Sequence, residues 1–211
     1  VNYTKALTHL KACDPILARL ITELGDCTLG ERSPNDSLFE ALTRSIVYQR
    51  ISIQSANAVY GRFLANYGDR HPTPNDLLGT DDDHLRQLGL PYTKIAYLKD
   101  LAATIQQGLP DLPELATWED SAIIKTLTQI KGIGRWSVEM VLIFQLHRLD
   151  VLPIDDFGIR AAIQTCYRLN DLPKKADMER IAEPWKPYRS IASWYLWRSR
   201  DAKNRELLDT W

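Results

Sequence analysis

The sequence predicts an all-α fold. Apolar residues recur at helical spacing in several segments, and strand-like alternation is nearly absent. Clusters of Pro and Asp/Asn separate the periodic runs. A first run covers residues 38–47, with Leu42 and Ile46 on one face. A second covers 53–67 with Val59 and Phe63, and a third covers 92–105 with Leu98. Residues 121–129 place Ile123, Ile124 and Leu127 on one face, which Ile130 extends. The last clear run is 138–146. Breakers lie at 33–36, 71–76 and 109–113. A chain of 211 residues can bury a full core, as one domain or as two small helical ones. No internal repeat or low-complexity segment interrupts it.

Chemistry concentrates in residues 127–160. Gly132-Ile133-Gly134 stands between the 121–129 helix and a helix beginning at Arg135. Positive φ at both glycines would turn the chain sharply, and neither carries a Cβ to block an incoming backbone. The free N–H groups of the second helix and its dipole form an anion site, flanked by Lys131 and Arg135. A GxG turn alone fits a plain helix–turn–helix connection as well. The second helix runs into a loop that delivers Asp155-Asp156 to a further helix start at Phe157. An anion grip and a carboxylate one helix apart suit chemistry on a nucleic acid.

The wording IKGIGRWSVEM followed by LPIDDFGIR resembles the helix-hairpin-helix DNA glycosylase superfamily, in its 3-methyladenine DNA glycosylase II (AlkA-type) branch. Residues 38–52 (LFEALTRSIVYQRIS), 88–102 (LGLPYTKIAYLKDLA) and 183–198 (EPWKPYRSIASWYLWR) are similar to the same branch. The resemblance implies a central helical domain, residues 37–150, that holds the hairpin. A second domain would form from 1–36 plus 151–211, with the catalytic aspartate at the cleft between them. It also implies a form without the N-terminal β domain of the best-known bacterial member.

That resemblance makes Asp156 the catalytic residue, at a helix N-terminus whose dipole favours negative charge. Breaking an N-glycosidic bond develops oxocarbenium charge, which a fixed carboxylate stabilises. Helix capping is then assigned to Asp155. Bifunctional relatives carry a lysine nucleophile two residues after the second glycine. Trp136 stands there, and no lysine lies between it and Asp156. A Schiff-base lyase needs that amine, so the expectation is a monofunctional enzyme that leaves an abasic site.

The base pocket is assigned to Trp136, Met140, Phe157 and Trp197, with Tyr48, Trp194 and Tyr92 as weaker candidates. Aromatic faces attract the cationic purines that alkylation produces. Met140 replaces an aromatic of the best-known bacterial relative. Trp118, Trp185 and Trp211 read as core. The residue that fills the gap left by a flipped nucleotide is assigned to Arg50, after Gln49, since guanidinium can stack and donate. Gly132, Ile133, Gly134 and Arg135 are assigned to DNA phosphate. The family implies a possible Na⁺ or K⁺ at the backbone carbonyls of Thr128, Ile130 and Ile133, and otherwise no required cofactor.

The formal charge of −1 does not by itself advertise a nucleic-acid binder. Its distribution is uneven. Asp69, Asp76, Asp81, Asp82 and Asp83 crowd one segment, which reads as a face turned from DNA. Beyond Asp156 lie Arg160, Arg168, Lys174, Lys175, Lys186, Arg189, Arg198, Arg200, Lys203 and Arg205, candidates for phosphate contacts. Cys13, Cys27 and Cys166 form no CxxC pair and no iron–sulfur cluster motif. No histidine has ligand spacing, and His147 reads as a charge partner at a helix C-terminus. The expected partner is double-stranded DNA containing alkylated bases, bound by a monomer without membrane association. The expected setting is intracellular, cytoplasmic or nucleoid in a bacterium and nuclear in a eukaryote. The preferred base stays open between 3-methyladenine and 7-methylguanine. A glycosylase for ethenoadenine, hypoxanthine or oxidised purines, and a non-catalytic binding module, remain as alternatives.

Overall fold

The computed structural model describes residues 3–30 and 37–201. Among the described residues it contains thirteen α-helices, one 3-10 turn and no strand. The first helices are α1 (Thr4–Cys13), α2 (Pro15–Leu24), α3 (Leu38–Tyr48) and α4 (Ile53–Ala65). Next come the short α5 (Pro74–Gly79) and α6 (Asp82–Gln87), then the long α7 (Tyr92–Gln106) and α8 (Leu112–Leu115). Helices α9 (Asp120–Leu127) and α10 (Arg135–Phe144) flank the glycine turn. Last come α11 (Phe157–Cys166), α12 (Lys175–Ala182), the 3-10 turn Glu183–Trp185 and α13 (Arg189–Ser199).

The chain divides into two units, Pro34–Val141 and the combination of Val1–Ser33 with Leu142–Trp211. The sequence expectation put the later boundary at 150. It falls instead within α10, whose last residue Phe144 packs on the Trp197 ring at 5.6 Å between centroids.

In the Pro34–Val141 unit, α3 opens with a capping box. Glu40 N donates to Ser37 Oγ (3.2 Å), and Ser37 N donates back to Glu40 Oε2 (2.8 Å). Leu42, Ile46, Phe63, Leu98, Leu101, Ile123 and Leu127 are wholly buried and form the core of this unit. Helix α7 packs on α3, α5 and α6. Four aspartates of the acidic segment are used locally. Asp76 closes the capping box of α5 and pairs with Arg70 at 2.7 Å, and Asp81 caps α6. Asp82 pairs with Lys99, and Asp83 accepts from Tyr92 Oη at 2.7 Å.

In the other unit, α2 packs on α1 and α13, and α13 also packs on α11. Asp14 joins the start and end of this unit. Its Oδ1 caps α2 through Ile16 N (2.8 Å) and Leu17 N (3.0 Å). Its Oδ2 accepts from Tyr167 Oη (2.5 Å) and from the buried Trp185 Nε1 (2.9 Å). Four donors on one buried carboxylate satisfy the desolvated charge. Trp185 therefore belongs to the core as expected, whereas Trp118 is half-buried and Trp211 lies outside the described residues. His147 lies close to a helix end, where the sequence reading put it. It follows the end of α10 with φ +50°, and its Nδ1 is buried without a hydrogen-bond partner.

Candidate functional site

Asp156 is the N-cap of α11. Its extended backbone sends Oδ1 to Ile159 N at 2.8 Å, and the same oxygen accepts from Trp197 Nε1 at 3.0 Å. This corrects the assignment of capping to Asp155. That residue lies one position too early to reach the orphan N–H groups of the first turn. It turns instead to Lys175, at 2.8 Å. Cap and candidate catalyst are thus one carboxylate.

The loop before Asp156 is anchored to the first turn of α13. Val151 N donates to Ser190 Oγ (2.9 Å), and Ser190 Oγ donates to Arg148 O (2.6 Å). Arg189 forks onto Asp150, with Nε at 2.7 Å from Oδ1 and Nη2 at 2.9 Å from Oδ2. Helix α13 therefore places both the loop and the Trp197 indole. Gly158 leaves the corner open, because a Cβ there would meet Asp156 Oδ1 at 3.0 Å and Trp197 Cδ1 at 3.3 Å. Phe157 leaves 65% of its surface exposed beside the carboxylate.

Within the Pro34–Val141 unit, the hairpin turn uses positive φ at Gly132 (+80°) and not at Gly134. The expectation of two left-handed glycines is corrected accordingly. Gly132 is needed twice over, because a Cβ there would land in the Tyr97 ring. Gly134 is exposed with nothing within 4 Å of a Cβ position, which leaves the approach to the N-terminus of α10 clear. Ile133 N closes the turn on Ile130 O at 3.0 Å. Arg135 Nε is drawn back to the buried Glu139 at 2.8 Å. Gln49 Nε2 donates to Gly132 O at 2.8 Å, bringing the α3–α4 turn to the hairpin. The next residue, Arg50, is exposed and left-handed, with φ +56°.

Trp136 and Met140 occupy the first turns of α10, one turn apart, with Trp136 39% exposed and Met140 half-buried. The sequence reading missed Phe144, four residues further, which is exposed and packs on Trp197. Its signal was available as a third step in the same i, i+4 series. The weaker aromatic candidates are engaged elsewhere. Tyr48 Oη donates to Asn57 (2.6 Å), Trp194 packs on Tyr195, and Tyr92 sits between Asp83 and Arg86.

Many of the late basic residues are tied locally. Arg160 donates to Pro173 O, Lys186 pairs with Glu183, and Arg198 pairs with Asp201. Lys203 and Arg205 lie outside the described residues. The three cysteines are free thiols, and among the described residues no group of three His, Cys, Asp or Glu could hold a metal. No described helix is long and apolar enough to cross a membrane.

A helical chain with this hairpin and an aspartate capping the helix after next matches a known repair family. Residues 43–187 match the family described as HhH-GPD superfamily base excision DNA repair protein, and the chain belongs to that superfamily. Among its relatives is DNA-3-methyladenine glycosylase 1 of Schizosaccharomyces pombe. The two are 37% identical, over 94% of this chain and 88% of that protein. The structure of the Schizosaccharomyces pombe 3-methyladenine DNA glycosylase in complex with abasic DNA matches with a TM-score of 0.87, covering 94% of this chain and 98% of that one. A DNA-3-methyladenine glycosidase from Bacillus halodurans is 32% identical, with a TM-score of 0.80 and coverage of 95% and 91%.

Proposed function

We propose that this chain is a monofunctional DNA glycosylase that releases alkylated purines, 3-methyladenine and 7-methylguanine, from double-stranded DNA in base excision repair. The observation that carries this reading is the Asp156 carboxylate, fixed by Ile159 N and Trp197 Nε1 in a family of base excision repair proteins. The C1′–N bond of a flipped nucleotide breaks with its electron pair leaving on the base. A water oxygen then bonds to C1′ and sheds its proton, which leaves an abasic sugar and an intact strand. Asp156 stabilises the intervening oxocarbenium charge. N3 or N7 alkylation already makes the base a good leaving group, so no strong general acid is required.

In this proposal Trp136, Phe157 and Trp197 offer ring faces to the cationic base, with Met140 beside them. Arg50 fills the vacated stack. The N–H groups around Gly132, Ile133, Gly134 and Arg135 grip a phosphate. A monovalent cation belongs to the same reading, held by the carbonyls of Thr128, Ile130 and Ile133. Ile130 O keeps a second lone pair after accepting from Ile133 N. The protein acts as an intracellular monomer.

The deciding experiment incubates the protein with methylated duplex DNA and identifies the released bases. Release of 3-methyladenine or 7-methylguanine is expected, at a rate that Asp156→Asn lowers by roughly 100-fold or more. Release of neither base, or a borohydride-trapped protein–DNA adduct, rejects the proposal.

A further inference from the structure

Three side chains of α7 reach the two turns assigned to DNA. Lys94, Tyr97 and Asp100 follow at three-residue spacing and so share one face of the helix. Lys94 Nζ donates to Val47 O at 2.6 Å. Val47 lies in the last turn of α3, where carbonyls lack intrahelical partners, and Gln49 and Arg50 follow directly. Tyr97 lies where a Cβ of Gly132 would be. Asp100 takes both donors of Lys131, the backbone N at 3.0 Å on Oδ2 and Nζ at 3.2 Å on Oδ1. The bond from Gln49 Nε2 to Gly132 O joins the two turns directly.

We propose that Lys94, Tyr97 and Asp100 are positioning residues that lock the Arg50 turn and the Lys131–Gly134 hairpin into one register on α7. The α3–α4 turn is fastened at its entry by Lys94, the hairpin at its apex by Tyr97 and Asp100, and each to the other by Gln49. Local contacts within each turn would have sufficed for two independent loops. What the shared face adds is a fixed spacing between them, which matters where one turn enters a bent duplex while the other holds its backbone. Turns held in place before binding lose less freedom on binding. The reading of these turns as DNA-contacting rests on the proposed function above.

The test uses Lys94→Met, which keeps the aliphatic stem and removes the donor. Amide hydrogen exchange at residues 132–134 is expected to speed up about fivefold, although Lys94 bonds to α3. Affinity for a duplex carrying a tetrahydrofuran abasic analogue should fall about tenfold, while base release at saturating protein changes little. Lys94→Arg should restore both. Should Lys94→Met fail to fold, Asp100→Asn runs the test in the other direction, with faster exchange expected at Gln49 and Arg50. Exchange unchanged across the pair in a folded variant overturns the proposal. The exchange arm needs no DNA. If the wild-type protein releases no base and binds no abasic duplex, the glycosylase reading fails, and exchange alone still decides whether the turns are coupled.

Discussion

Trp197 donates its indole N–H to Asp156 Oδ1, the oxygen that also caps α11 through Ile159 N. The carboxylate is therefore oriented from two directions, by the backbone of the helix it starts and by a ring from α13. Trp197→Phe keeps an aromatic face against Phe144 and removes the donor along with part of the indole ring. A hydrogen bond to a charged group contributes about 1.5–3 kcal/mol, so single-turnover base release should slow by roughly tenfold or more. An unchanged rate would mean that the indole serves packing alone.

Arg50 holds a left-handed backbone, which costs a non-glycine residue roughly 1–2 kcal/mol. Arg50→Gly should consequently raise the denaturation midpoint while weakening binding to an abasic duplex. Arg50→Ala should weaken binding without the gain in stability, and slow excision by roughly tenfold. Single-turnover rates for both variants equal to wild type would remove Arg50 from the DNA interface.

Asp14 is far from Asp156 in sequence and supports the unit that carries it. Asp14→Ala strips a helix cap and leaves Tyr167 Oη and Trp185 Nε1 without their acceptor. The combined loss should be about 3 kcal/mol in a urea melt. A change below about 1 kcal/mol would show that water replaces the carboxylate without penalty.

Burial pushes the Cys166 thiol from 9.0 up to about 11, and burial likewise raises the Tyr195 phenol above its ordinary 10.0. In the unfolded chain these groups ionise first. The stability that the neutral Cys166 contributes is whole below pH 9.0 and is lost as pH rises through about 11. Melting temperatures measured between those limits should fall steadily, and Cys166→Ala should flatten part of the slope. A flat profile would contradict the assigned burial effect.

Apolar spacing alone places α3, α7, α9 and α10, the helices around the two turns, whereas α11 and α13 were reached through the aspartate pair and the resemblance. Short helices such as α5 and α6 were not legible, since six residues give too few turns for a periodic signal. The glycine turn was legible as a turn, but its two glycines looked equivalent. Only the position of Tyr97, distant in sequence, separates Gly132, which has no room, from Gly134, which does. In the same way, Asp155 and Asp156 are indistinguishable as letters. Helix α11 begins at Phe157, as the sequence reading had it, and the residue directly before that start is the one whose carboxylate reaches the free N–H groups, which makes Asp156 the cap. Phe144 was overlooked because a phenylalanine at a helix end reads as core until its exposure is known.

Gly158 contributes no functional atom, yet a methyl group there would press on both Asp156 and Trp197, which would have to give by a few tenths of an ångström. A gained methyl group would therefore disturb the orientation of the carboxylate without removing any polar atom. A survey of substitutions that looks only for missing chemical groups would pass over the second residue of α11, where what matters is empty space.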